Sequence, residues 1–207
     1  MVAIPIPTFA YEREFIGQGL ELVAGVDEAG CGAWAGPVYA AAVIIPLNSR
    51  IKLIRDSKSL TLMQRERVIE SIKAKAVAWA VGIATHEEVD RLNIRQATFL
   101  ATRRAINGLT VRPHAVLADG FNIPGLDIPC HRVIRGDRLV KSIAAASVIA
   151  KVHRDEEMGR LEIRFPGYGF ADHKGYGTAF HQKALRKLGP CAIHRKSYAP
   201  IKEFMTR

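Results

Sequence analysis

The chain has 207 residues, enough to bury a full core without disulfide or metal staples, and fits one domain or one domain with a small appendage. Thirty Lys and Arg against 20 Asp and Glu leave a net charge of +10, which favours a polyanionic partner, either nucleic acid or an anionic membrane surface. Three scattered cysteines, Cys31, Cys130 and Cys191, with no Cys-x-x-Cys pair, argue against a structural zinc knot and a secreted disulfide framework and point to a reducing cytoplasm.

Residues 1–20 read as a loosely ordered arm and 21–207 as the folded domain. The start, MVAIPIPTFAYERE, has no basic cluster ahead of its apolar residues and makes a poor signal peptide. A first buried strand spans 22–26, where Val23 and Val26 suit a pleated, covered surface. Asp27 and Glu28 follow at its end, then Gly30 and Gly32. The stretch 29–49 carries no charge, but Gly30, Gly32, Gly36, Pro37 and Pro46 interrupt it, so it reads as a turn and a central strand at 38–45 and not as a membrane span. Residues 47–60 are polar and basic. Val68, Ile69, Ile72 and Ala76 recur at helical spacing and predict a helix over 62–76; alternation predicts a third strand over 77–83. Thr85 caps a short acidic helix at 86–92 and Asn93 caps the next, at 94–107, which Gly108 closes. Short strands at 115–118 and 131–134 lead into Asp119-Gly120 and Arg135-Gly136-Asp137. A long helix covers 143–161, small and apolar in its first half and charged in its second. Two loops, 167–177 and 189–197, flank a helix at 178–188. This order gives an α/β fold, one mixed sheet with helices on its faces.

One pattern occurs three times: an apolar strand ends in an acid beside glycine, at Asp27-Glu28-Ala29-Gly30, Asp119-Gly120 and Gly136-Asp137. In sheets of this kind, strand ends gather at one edge and ligands bind there. Four carboxylates brought together cannot all ionise without cations. A pair of divalent ions about 3.5–4 Å apart would resolve that and suit in-line phosphoryl chemistry. Consecutive strand residues point to opposite faces, so Asp27 and Glu28 share one site only if the strand ends or kinks there. Each acid alone reads equally well as a turn residue, since Asp-Gly is a common turn dipeptide. On spacing alone, a metal-dependent phosphodiesterase and a set of plain strand-end turns stand level.

Taken together and in order, the motifs resemble the bacterial ribonuclease HII family. They are Val26-Asp27-Glu28-Ala29-Gly30-Cys31-Gly32 with Ala35-Gly36-Pro37-Val38, then Asp56-Ser57-Lys58-Ser59-Leu60, Asp119-Gly120 and Gly136-Asp137. Ala145-Ala146-Ser147 with Ala150-Lys151-Val152 and Arg154-Asp155 follows, then His173-Lys174-Gly175-Tyr176, and His194-Arg195 with Ser197. The resemblance runs from about residue 22 to 201. It implies a ribonuclease H-like mixed five-stranded sheet flanked by helices, with a helical C-terminal extension. It implies an endonuclease that cuts the RNA strand of RNA–DNA hybrids, and single ribonucleotides in duplex DNA on their 5′ side, leaving 3′-hydroxyl and 5′-phosphate ends. It carries Mn2+ or Mg2+ onto Asp27, Glu28, Asp119 and Asp137, as metal ligands and catalytic residues.

Substrate contacts fall, on the same resemblance, to the loop Gly30-Cys31-Gly32, to Ser57, Lys58, Lys174, His194 and Arg195 as phosphate holders, and to Tyr176 as a stacking ring. The family has Gly-Arg-Gly where this chain has Gly30-Cys31-Gly32, so the backbone share of recognition is kept and the charged share is missing. Cys31 reads as a small filler and not a nucleophile, since the chemistry needs only water. Lys151, past the apolar half of the long helix, is a candidate to face the substrate. Asp155 reads as a structural partner of a nearby base, and His131 and His153 as non-catalytic. A monomer in the cytoplasm, away from membranes, is expected. The rival readings are a basic nucleic-acid-binding module that has lost catalysis, supported only by Cys31, and a resolvase- or integrase-like nuclease, against which the His173–Tyr176 loop counts.

Overall fold

The computed structural model describes residues 6–51 and 61–206. In chain order these form α1 (Ala10–Gly17), β1 (Val23–Ala29), β2 (Val38–Ile44), α2 (Leu62–Lys75), β3 (Ala78–Ala84), α3 (His86–Leu92), α4 (Ile94–Asn107), β4 (Ala115–Asp119), β5 (Cys130–Val133), α5 (Gly136–Leu139), α6 (Lys141–Arg164), α7 (Phe170–His173), α8 (Ala179–Leu188) and α9 (Ala199–Met205). The sheet order is β3-β2-β1-β4-β5. β2 runs antiparallel to both its neighbours, and β1, β4 and β5 run parallel. The chain therefore forms the expected α/β arrangement, a mixed five-stranded sheet with helices on both faces.

Local chemistry sets most boundaries. Thr61 and Thr85 each accept from the backbone N–H three residues on and receive a Gln64 or Glu88 side chain in return, which fixes the starts of α2 and α3. β2 is buried along its whole length, as its unbroken apolar run requires. Helix α6 covers one face of the sheet through its alanine-rich first half, packed with Ala41, Val43, Ile69 and Ile72. Helix α4 covers the other through Ala97, Ala101 and Ala105, against Val26, Val38 and Val116. Contact is close because side chains are missing where the helices cross: a Cβ on Gly25 would stand 2.2 Å from the Ser142 carbonyl carbon. The end of α6 joins α7, α8 and α9 in a separate apolar cluster that includes Met158, Phe170, Leu185 and Ile201.

Four differences from the sequence reading have physical causes. The arm is not loose where it is described: α1 forms, Phe9 is buried, and the Glu12 carboxylate accepts from Ser142 N at 2.9 Å. That bond satisfies a buried donor in the first turn of α6, whose N-cap Val140 has no side chain able to do so. Strand β1 does not stop before the acids, because β2 pairs with it through Ala29. Asp137 does not end a strand; it sits in the first turn of α5 after Arg135 takes a left-handed conformation (φ 58°). Helix α9, with Pro200 in its first turn, lies beyond the 189–197 loop, in residues to which the sequence reading assigned no element of their own.

Candidate active site

The site is built at the edge where the parallel strands end. β1 pairs with β4 only from Val23 to Val26, but with β2 as far as Ala29. Asp27 and Glu28 thus lie on an overhang past the last residue of β1 that pairs with β4. Asp27 points to the face of Gly25, under α6, and Glu28 to the face of Val26, under α4. No kink is needed to bring them together, because a cavity of about 410 Å³ wraps the overhang. It is lined by Asp27, Glu28, Asp119, Asp137, Ser147 and Lys151 together with Gly30, Cys31, Gly32 and Tyr176. Asp119 lies two residues past Leu117, which pairs with Gly25, so it shares the face of Asp27. Its Oδ1 accepts from Gly136 N at 2.7 Å, which ties the end of β4 to the turn that carries Asp137.

Electrostatics at this edge are unbalanced. Asp27 is buried, and its Oδ1 accepts from Glu28 N at 2.8 Å. Burial, and then the negative charges of Glu28 and Asp119, hold its carboxyl well above the usual range; the Ser147 hydroxyl pulls the other way. Lys151 stands by, but burial lowers its pKa and it is paired with Asp155 on the next turn of α6. Among the described residues no three His, Cys, Asp or Glu side chains form a ready-made metal cage. The donor set is nevertheless all oxygen, drawn from three segments, with a buried carboxylate that resists ionising. Those are the properties a hard divalent cation satisfies, so Asp27, Glu28, Asp119 and Asp137 fit such an ion.

The remaining predicted residues divide clearly. Gly30, Cys31, Gly32 and Tyr176 line the cavity, and Tyr176 is 40 % exposed. The Cys31 sulfur lies 3.2 Å from Thr98 Oγ1, and burial followed by the Glu28 charge pushes the thiol up to about 12, so it stays protonated. Lys174 does not reach this cavity: its Nζ donates to Ala171 O at 2.5 Å, and it borders a smaller cleft with Arg65 and Glu156. His194 and Arg195, expected at the surface as phosphate holders, are fully buried. Arg195 instead braces the loop from beneath, with Nη1 donating to Cys31 O at 3.0 Å and Nε to Gly36 O at 3.0 Å. Ser57 and Lys58 lie outside the described residues. Two residues escaped the sequence reading as site members: Ser147 and the buried Arg154. Both fall on the face of α6 that carries Lys151, at spacings of four and then three residues, and Ser147 is the one hydroxyl within an otherwise apolar run.

The sheet order and its acid-bearing edge define a ribonuclease H-type α/β protein. The crystal structure of ribonuclease H2 from Pyrococcus horikoshii OT3 superposes with a TM-score of 0.77 at 23 % identity, covering 90 % of this chain and 98 % of that one. Bst-RNase HIII in complex with Mn2+ gives 0.67 at 20 %, covering 89 % and 69 %. Sequence narrows the class. A family model described as Ribonuclease HII matches residues 24–201. A ribonuclease HII of Anaeromyxobacter sp. (strain Fw109-5) is 52 % identical over 93 % of this chain, which spans 61 % of that relative's length. One of Bordetella avium (strain 197N) is 50 % identical over 88 % of this chain and 90 % of its own. The chain belongs to the ribonuclease HII family, hydrolases of the metal-dependent endoribonuclease type. No helix among the described residues is long and apolar enough to cross a membrane.

Proposed function

We propose that this protein hydrolyses the RNA strand of RNA–DNA hybrids and cuts 5′ of single ribonucleotides embedded in duplex DNA, leaving 3′-hydroxyl and 5′-phosphate ends. The observation that carries the reading is the convergence of four carboxylates on one cavity that also holds a glycine loop and a half-exposed tyrosine, in a chain of net charge +10. Asp27, Glu28, Asp119 and Asp137 would hold Mn2+ or Mg2+. Bound there, such ions ease deprotonation of water and offset charge on the leaving 3′ oxygen.

The chain's own groups prepare the rest. Glu28 N–H and the Ser147 hydroxyl fix the Asp27 carboxylate, and Gly136 N–H fixes that of Asp119, so neither must reorganise when substrate arrives. Gly30 and Gly32 let a sugar–phosphate backbone approach the loop closely. Tyr176 offers a ring face to a sugar or base beside them. Cys31, neutral and turned toward Thr98, gives no charge to a phosphate, which leaves recognition at this loop to backbone groups.

Cleavage of a duplex with one embedded ribonucleotide tests the reading. Cutting 5′ of that nucleotide is expected with manganese, and none with chelator or in folded Asp27→Asn and Asp119→Asn variants. Folded variants that still cut would remove these acids from the mechanism, and wild-type protein inert on every hybrid would remove the function itself.

A further inference from the structure

Arg154 is fully buried, yet among the described residues it has no carboxylate partner. Its guanidinium serves backbone carbonyls instead. Nε donates to Pro37 O at 3.1 Å, and Nη2 donates to Lys174 O at 3.0 Å and to Ala35 O at 3.4 Å. The Tyr176 ring centroid lies 5.5 Å from the guanidinium carbon. The same side chain passes directly beneath the glycine loop: a Cβ on Gly30 would stand 1.9 Å from Arg154 Nε. Tyr176 also borders that loop, since a Cβ on Gly32 would come within 3.7 Å of its ring. A buried charge with no carboxylate in ion-pair reach among the described residues is costly, and an apolar side chain would fill the space more cheaply. What an apolar residue could not do is join the 30–37 segment to the 174–176 segment through a planar fork.

We infer that Arg154 is a positioning residue that sets the separation between the Gly30–Gly32 loop and the Tyr176 ring, and thereby the preference for an isolated ribonucleotide over a long hybrid. This rests on the function proposed above. Stacking on a sugar or base is productive only near van der Waals contact, and a displacement of about 1 Å at a positioning contact is worth roughly a hundredfold in rate. On a long hybrid, phosphate contacts spread over the basic surface share the load. On a single ribonucleotide, the loop and the ring alone mark the site. Lysine cannot replace the fork, because one ammonium offers no rigid, divergent donors to carbonyls on two segments.

The test compares wild type, Arg154→Lys, Arg154→Gln, Tyr176→Ala and the Arg154→Lys/Tyr176→Ala double variant. Affinity is read by fluorescence anisotropy in chelator and cleavage with manganese, each on an embedded-ribonucleotide duplex and a long hybrid, with unfolding followed by circular dichroism. For folded Arg154→Lys, binding and KM on the embedded ribonucleotide should weaken about tenfold, and on the long hybrid by less than about threefold. The double variant should be no worse than Tyr176→Ala alone, because both changes remove one interaction. Equal losses on both substrates, or losses that multiply in the double variant, would reduce Arg154 to general scaffolding and overturn the inference. So would unfolding of both the Lys and Gln variants. Wild-type protein that cuts neither substrate overturns the proposed function and this inference with it, whereas wild type that cuts while Arg154→Lys keeps its preference overturns this inference alone.

Discussion

Acidification should loosen the C-terminal helices through two buried histidines. Tyr176 O can only accept, so His181 Nδ1, at 3.0 Å, carries its ring proton. His181 Nε2 is then an acceptor for His194 Nε2–H, also at 3.0 Å. His194 Nδ1 is left to accept from Cys191 N at 2.9 Å. Every ring nitrogen is spoken for, and a further proton on either ring sets N–H against N–H. Burial accordingly lowers both histidines from 6.5 to about 4. The unfolded chain takes up these protons near 6.5 and the fold resists until about 4, so stability is whole above the first value and lost as pH falls toward the second. Full expression is worth about 3 kcal/mol per ring, and at pH 5 about 2 kcal/mol of each is gone. Asp27 runs the other way: its raised pKa lets the fold bind a proton before the unfolded chain does, so acid stabilises it. The comparison therefore belongs in an Asp27→Asn background, in chelator, by urea unfolding at pH 7, 6 and 5, with ring titration followed by NMR. A loss of about 3–4 kcal/mol between pH 7 and 5 is expected. Either ring titrating near 6.5, or equal stability at the two ends, would refute the argument.

Three further outcomes follow from local geometry. Gly25→Ala places a methyl against the α6 backbone, with Ile143 N at 2.3 Å, and should cost about 3 kcal/mol or more, read as a fall of roughly 6–12 °C in Tm; an unchanged Tm would show that α6 can ride outward freely. Cys31, with its thiol at about 12, should alkylate at pH 8 on the order of a thousandfold more slowly than an ordinary cysteine, whereas labelling at the ordinary rate would contradict its burial against Thr98 and Glu28. Hybrid affinity should fall steeply with salt as phosphate contacts release counterions, and a flat log–log plot between 50 and 200 mM would remove the basic surface from the binding argument.

The sheet was legible because its signals are local. Val38 to Ile44 is an unbroken apolar run, and Thr85 and Asn93 are side chains whose capping role can be read where they stand. The four acids could be proposed for one cavity because parallel strand ends must meet at an edge. Their faces could not be read. The overhang of β1 past its pairing with β4 depends on where that pairing stops, which neither strand's sequence states alone. Arg195 and Arg154 show the opposite failure. A basic residue in a basic chain reads as surface charge, and only the fold reveals the carbonyls of Cys31, Ala35, Gly36, Pro37 and Lys174 that take up the two guanidinium groups. Helix α1 escaped for the same reason, since its value lies in Glu12 meeting Ser142, a partner far along the chain.

That last contact has a practical edge. The residues before Leu22 look dispensable, and the family match begins only at residue 24. Yet Glu12 finishes the first turn of the helix from which Ser147, Lys151 and Arg154 all project. A version of the protein trimmed to the matched block would lose that carboxylate and the Phe9 ring packed on the same helix, and the damage would surface in the cavity, on the helix that carries Ser147 and Lys151.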